Sequence, residues 1–233
     1  MPIITSLSNL HFLSLIKKIK YLWIVTLFFI FSIAIKGQEK KDTVLFQPPI
    51  PVELMVGNES LLYKMVVTKQ VSSNFKFYNL LTYESSFITS SASGIFNQTA
   101  IFYDFSKHFS IGSGANFSSF HGVSPILVAL YSNFNTTRGI VIQPSITLEK
   151  NNAKELFGMY ELTYKVSPTI TGYFRLDAFT SWYSKHDFSY LNWRLGTQTK
   201  QGRFGPAINF QFVANIPTPY INYGAFYNIL LKY

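Results

Sequence analysis

Long segments of alternating residue types repeat along this chain and limit what it can fold into. From about residue 52 onward, apolar and small polar side chains alternate, and no helical period is visible after residue 40. A period of two places successive side chains on opposite faces of a β-strand. Many segments exceed the five or six residues common in soluble sheets and match the roughly 9–11 residues of a tilted membrane-spanning strand. The sequence therefore predicts an all-β fold built from long strands.

The predicted strands follow one another without a linker or an internal repeat. They cover 60–69, 75–87, 94–105, 109–119, 125–134, 139–149, 157–166, 169–183, 189–199, 204–215 and 219–233, with a further short segment at 52–57. Short predicted connections (106–108, 135–138, 167–168 and 200–202) alternate with longer ones (85–93, 119–124, 150–156 and 184–189), which is typical of outer-membrane barrels. We predict a transmembrane antiparallel up-and-down β-barrel of about 10 strands, or 12 if 52–57 and 60–69 form a hairpin.

The composition of the two strand faces indicates which environment each face meets. In segment 169–183, Phe174 and Leu176 alternate with Arg175 and Asp177. A soluble lipocalin-like barrel is the alternative, with its apolar face inward, but its polar face would be rich in Lys and Glu. Charged residues make up only 13% of this chain, whereas aromatic residues make up 18%. We therefore expect the apolar face to contact lipid, with these residues on it: Ile142, Ile146, Phe174, Leu176, Phe210, Phe212, Ile229 and Leu231.

The first 37 residues have the pattern of an export signal. Basic residues up to Lys20 precede the uncharged run 22–35, which is shorter than the roughly 20 residues of a spanning helix. We expect cleavage between Gly37 and Gln38; an uncleaved inner-membrane anchor is the alternative. The predicted organisation is a signal peptide at 1–37, a Pro-rich N-terminal extension at 38–59 and the barrel at 60–233. Four lysines leave with the leader, so the formal charge falls from +9 to +5, and no basic patch for nucleic acid remains.

Two segments resemble the small outer-membrane β-barrel proteins of Gram-negative bacteria. They are the hairpin at 101–114 (IFYDFSKHFSIGSG) and the final alternating strand, which ends on the aromatic Tyr233. The resemblance implies location in the outer membrane, contact with outer-membrane lipid and lipopolysaccharide, and recognition of the C-terminal strand by the barrel-assembly machinery. It leaves the activity open, because that group includes passive pores, lipid hydrolases, structural anchors and adhesins.

Residues that could support catalysis or bind a metal are few. The chain has no Cys, and no two His or carboxylate residues have ligand spacing on one strand face. His121 and Ser124 are three residues apart, which would place them on opposite faces of a strand. We therefore predict no catalytic, cofactor or metal site. A lipid-processing barrel enzyme of the deacylase or phospholipase type is the alternative; a strand-borne His-x-Ser pair or a conserved polar cluster on the lipid-facing surface would favour it, and the sequence shows neither.

Four charged residues on three consecutive strands form the candidate site. Arg175 and Asp177 share the polar face of 169–183, Glu161 precedes them and Arg194 follows them on the neighbouring strands. We predict that all four point into the lumen, with Arg175 within salt-bridging reach of Glu161 or Asp177. Buried charges are tolerated when they are paired or hydrated. The network is either an internal structural brace or a charged constriction that selects solutes. The predicted function is thus a narrow channel for small solutes or a role in envelope structure and interaction.

Overall fold

The computed structural model describes residues 48–88, 93–149, 152–199, 201–214 and 216–231. The predicted signal peptide at 1–37 and the terminal Tyr233 lie outside these residues. The described part contains twelve β-strands: β1 Ile50–Gly57, β2 Ser60–Gln70, β3 Phe75–Ser86, β4 Gly94–Asp104, β5 Phe109–Ser118, β6 Gly122–Phe134, β7 Arg138–Thr147, β8 Lys154–Lys165, β9 Thr171–Trp182, β10 His186–Gln198, β11 Arg203–Val213 and β12 Tyr220–Leu231. No helix among the described residues is long and apolar enough to cross a membrane.

The strands form one closed antiparallel barrel. Each strand pairs with its neighbours in sequence, and β1 closes the ring by pairing along its whole length with β12, from Ile50 opposite Leu231 to Gly57 opposite Gly224. Closure removes the exposed sheet edges that would otherwise offer unpaired backbone groups. The predicted up-and-down topology is confirmed, and of the two strand numbers considered, twelve is the one observed.

Strand β1 corrects the predicted domain boundary. The predicted organisation placed 38–59 in a Pro-rich extension, although 52–57 was also considered as a strand; residues 50–57 form a barrel strand between β12 and β2. Pro51 is opposite Leu230 of β12, whereas the pairing with β2 begins one residue later, at Val52. Proline is tolerated at the start of a strand because its missing N–H leaves no hydrogen bond unmade there. The barrel therefore begins at residue 50 rather than at residue 60.

The two faces of the strands separate as their period predicts. Ile142, Phe212 and Leu231 are exposed on the outer wall. Ile146, Phe174, Leu176, Phe210 and Ile229 occupy the same outward face and are half-buried among neighbouring side chains. The buried polar residues, including Asp177, lie on the opposite face and therefore point inward. The predicted orientation of these strands is confirmed, and the lipocalin-like alternative, with its apolar face inward, is excluded.

Apolar packing also contributes to the interior. One buried cluster joins Ala100 and Phe102 of β4 to Ile126, Val128 and Leu130 of β6. A second cluster consists of Met55, Leu62, Tyr173, Ala207 and Phe226. Side chains thus fill part of the bore.

The predicted alternation of loop lengths is only partly correct. Residues 48 and 231 lie at one end, called here the terminal end, with the turns 71–74, 105–108, 135–137, 166–170 and 199–202. The far end carries the connections 58–59, 87–93, 119–121, 148–153, 183–185 and 214–219. The predicted long connections at 119–124 and 184–189 are tight turns. At the first of these, Gly122 adopts φ +76°, a left-handed conformation that glycine accepts readily, so β6 begins directly after a short turn.

Candidate functional site

Glu53 lies at the centre of the ion pairs inside the barrel. One oxygen, Oε2, is 2.6 Å from Arg175 Nη2, and the other, Oε1, is 2.9 Å from Arg194 Nε. Arg194 also donates from Nη1 to Asn209 Oδ1 at 2.7 Å. All of these groups are buried. Charge-assisted hydrogen bonds with satisfied partners are the arrangement that makes buried charge tolerable.

A second carboxylate extends the network across the lumen. Asp177 Oδ2 accepts a hydrogen bond from Lys64 Nζ at 3.2 Å. Its Oδ1 is 3.2 Å from Arg175 Nε, although the angle is too poor for a hydrogen bond, so this attraction is purely coulombic. Glu53, Lys64, Arg175, Asp177 and Arg194 together are called the central network.

Through Lys64, the central network connects strands on distant sides of the barrel. Lys64 is on β2 and Asp177 is on β9, and four strands separate β2 from β9 on one side of the ring and six on the other. The same ammonium lies 5.6 Å from the ring centre of Phe157 on β8. Side chains from nearly opposite walls therefore meet inside the barrel.

Three of the four predicted site residues lie together, and one does not. Arg175, Asp177 and Arg194 are in the central network, and the predicted contact between Arg175 and Asp177 is present at 3.2 Å. Glu161 points into the lumen but pairs elsewhere, with Arg203 Nη2 at 2.8 Å and the hydroxyl of Tyr173 at 3.1 Å. Arg203 is on β11, which the sequence analysis did not include in the site.

Two members of the central network, Glu53 and Lys64, were not part of the predicted site. Glu53 was missed because it was assigned to the N-terminal extension. A signal was nevertheless present, since it is the one charged residue in the alternating segment 52–57. Lys64 lies on the inward face of β2, but nothing in the sequence indicates that it reaches β9 rather than a neighbouring strand.

The two ends of the lumen differ in how their carboxylates are satisfied. At the terminal end, Asp104 pairs with Lys76 at 2.8 Å, as Glu161 pairs with Arg203. Toward the far end, Glu84 accepts hydrogen bonds from Ser60 at 2.6 Å and Gln211 at 2.9 Å, and Glu155 accepts one from Ser145 at 2.8 Å. Within the part of the chain that the structure describes, neither Glu84 nor Glu155 forms a salt bridge. The far end of the lumen is therefore the more acidic one.

His121 and Ser124 do not form a catalytic pair. His121 lies in the turn before β6, and the Ser124 hydroxyl donates to Glu149 instead. His186 contacts Ser189 at 2.7 Å in an exposed position. No group of three metal-ligating side chains occurs among the described residues.

The outer wall of the barrel that encloses the central network is apolar. Large apolar side chains are exposed around the ring, among them Leu54 on β1, Ile101 on β4, Ile142 on β7, Trp193 on β10 and Tyr223 on β12. Burial of charge inside and exposure of apolar surface outside reverse the order of a soluble protein. An apolar wall around a charged interior is the arrangement of a transmembrane β-barrel.

Comparisons with known proteins found solved structures of low sequence identity. No family model matches the sequence, and no curated protein matches it. Among solved structures, the KdgM porin is 11% identical and covers 79% of this chain and 98% of its own, with a TM-score of 0.46. The NanC porin is 8% identical over 80% of this chain and 100% of its own, with a TM-score of 0.47. An outer-membrane channel from Pseudomonas putida F1 is 10% identical over 84% of this chain and 100% of its own, with a TM-score of 0.44. Similarities at this level do not indicate a shared function.

Proposed function

We propose that this chain is an outer-membrane β-barrel that forms a narrow channel for small solutes, with the central network as its constriction. The observation that carries the proposal is the contact of Lys64 with Asp177 across the lumen. It narrows the bore at a layer that contains fixed charges of both signs. Rings and clusters of fixed charge at a constriction are a common source of solute selectivity in pores.

The charges of the central network do not cancel. Lys64, Arg175 and Arg194 contribute three positive charges, whereas Glu53 and Asp177 contribute two negative charges, so the network has a formal net charge of +1. The Lys64 side chain retains 16% exposure, in contrast to the 1% of Asp177. Lys64 is therefore the member of the network that a passing solute would meet.

An enzymatic function has less support from the geometry. A lipid-processing barrel would need a hydroxyl activated by a base. The Ser124 hydroxyl is directed to Glu149 inside the barrel, while His121 is in an exposed turn. His186 contacts the Ser189 hydroxyl at 2.7 Å, but no carboxylate among the described residues pairs with that imidazole. We therefore propose a non-enzymatic role.

The surroundings of the barrel follow from its membrane location. Outer-membrane lipid and lipopolysaccharide would contact the apolar wall. The barrel-assembly machinery would recognise the C-terminal segment that includes β12; the terminal aromatic residue of the predicted signal, Tyr233, lies outside the described residues.

Lys64→Ala tests the constriction. The substitution removes the side chain that crosses the lumen, while Asp177 keeps its second cation, Arg175. Single-channel conductance in planar bilayers should be larger for Lys64→Ala than for the unchanged protein. The matched control is Lys69→Ala, because Lys69 is near the terminal end of the same strand on its outward face.

One result would count against the constriction, and another would count against the channel itself. Equal conductance of Lys64→Ala and the unchanged protein would show that the central network is not the constriction. Absence of any conductance from both would show a closed barrel, in which the network is a structural brace and the protein serves envelope structure or interaction.

A further inference from the structure

A group of polar side chains lies on the otherwise apolar outer wall of β3 and β4. The alternation of side chains along both strands shows that these polar groups point outward. Tyr78 packs inward against Phe102, with 5.9 Å between ring centres, and Gln98 accepts an internal hydrogen bond from Gln143 at 2.7 Å. Asn79 and Thr99, the next residues along each strand, therefore point outward. Asn79, Asn97 and Thr99 are called the outer polar cluster.

Hydrogen bonds within the outer polar cluster satisfy it only in part. Asn79 Nδ2 donates to Thr99 Oγ1 at 2.8 Å and to Asn97 Oδ1 at 3.3 Å, and Thr99 Oγ1 donates to Asn97 Oδ1 at 3.0 Å. Asn97 Nδ2 donates to the backbone oxygen of Leu80 at 3.4 Å. Asn79 Oδ1 accepts no hydrogen bond from any described residue. The cluster thus presents an open acceptor to its surroundings.

The depth of the outer polar cluster makes this open acceptor costly. Thr99 is the central residue of β4, with five strand residues on either side of it. Hydrocarbon cannot hydrogen-bond a carboxamide at that depth. Apart from Asn133, next to the end of β6, no other outward strand position among the described residues carries a carboxamide. The cluster is therefore a local exception on an apolar wall. It contains no histidine or carboxylate that could activate the Thr99 hydroxyl, so it does not favour the lipid-processing alternative.

We propose that the outer polar cluster is the contact between two copies of this chain in the membrane, an inference that rests on the proposed membrane location. Two identical barrels inserted in the same direction carry the cluster at the same depth. A two-fold axis along the membrane normal would bring the clusters face to face. A carboxamide has both donor and acceptor groups, so Asn79 of one copy complements a carboxamide of the other.

The strands beside the outer polar cluster would allow a second copy of the chain to approach the barrel wall closely. Ala115 is opposite Thr99 in the β4–β5 pairing, and Pro125 is opposite Ala115 in the next. Small outward side chains let the backbones of membrane-embedded segments come near, so that polar groups can bond across the contact. Ala115 thus leaves room beside Thr99 for a neighbouring chain, and the large exposed side chains of Ile101, Phe117 and Leu127 would pack around that contact.

Disulfide cross-linking in native membranes tests the contact directly, since the chain has no cysteine of its own. Ala115→Cys places one thiol per chain beside the cluster. The matched control is Ala178→Cys, at an outward position of β9, which four strands separate from β4 by the shorter path. Oxidation should give a disulfide-linked dimer for Ala115→Cys in several-fold excess over Ala178→Cys. Adding Asn79→Leu to Ala115→Cys should lower dimer formation about threefold or more for each hydrogen bond lost.

The outcomes separate this inference from the proposed location. The Ala115→Cys variant could remain monomeric in the outer membrane, or it could cross-link no better than Ala178→Cys. Either result would contradict the dimer contact without contradicting the outer-membrane location. Cross-linking that Asn79→Leu does not change would also overturn the dimer contact, because the cluster would then contribute nothing to it. Recovery of the protein outside the outer membrane would contradict the location itself.

Discussion

Glu53 is the residue on which both arginines of the central network converge. Its two oxygens bind different guanidinium groups, at 2.6 and 2.9 Å, while the second carboxylate, Asp177, adjoins Lys64 and Arg175. Three cations therefore share two anions. Loss of an anion would leave more unbalanced charge than loss of a cation.

This imbalance predicts an order of stabilities. Glu53→Gln leaves three cations around Asp177 alone, so the free energy of unfolding should fall by about 3–5 kcal/mol, as when one partner of a buried pair is removed. Arg175→Ala should cost less, because Glu53 keeps Arg194 and Asp177 keeps Lys64. Urea-induced unfolding of the vesicle-embedded barrel, followed by tryptophan fluorescence, measures both.

A control for this comparison is Glu59→Gln, in the turn between β1 and β2 and outside the central network. It should unfold close to the unchanged protein. A larger loss of stability for Arg175→Ala than for Glu53→Gln would show that the distances inside the barrel do not reflect the energetics.

At the scale of strands, alternation alone predicted most of the fold. It located β2 to β12 within a few residues and assigned the outward faces correctly, because a period of two leaves little freedom when both faces are constrained. It also placed the short segment 52–57 close to β1, but the strand begins two residues earlier and includes Pro51, because proline is compatible with a strand's first residues. It also missed the outer polar cluster, since Asn79 and Asn97 become neighbours only once the register of β3 and β4 is known.

Leu176→Arg tests the environment of the outer wall. Leu176 is near the middle of β9 and faces outward, so an arginine there should lower barrel stability by about 2–4 kcal/mol in a bilayer. Leu231→Arg, the same substitution at the last residue of β12, should cost about 0–1 kcal/mol. Unfolding in lipid vesicles measures the difference, and equal small costs at both positions would indicate that the outer wall meets water.

At the scale of the whole barrel, the contacts that cross the lumen are the part that the sequence could not predict. Neighbouring strands are adjacent in sequence, so the charged residues that face each other on them can be predicted from residue spacing. The meeting of β2 with β9 depends instead on closure, strand tilt and the shape of the bore. Glu161 shows the difference. It is opposite Arg175 in the β8–β9 register, yet it pairs with Arg203 from β11.

The location of the whole molecule is the remaining prediction. A chain with a basic segment and a 14-residue uncharged run at its start should be exported and cleaved near Gln38. A closed barrel with an apolar outer wall should then insert into the outer membrane, because this wall is stabilised by lipid and its charges are enclosed. Envelope fractionation with N-terminal sequencing should find a shortened form in the outer membrane. That form should also migrate differently on gels before and after heating, because a closed barrel stays folded until it is heated. Full-length protein in the inner membrane would show instead that residues 22–35 act as an anchor.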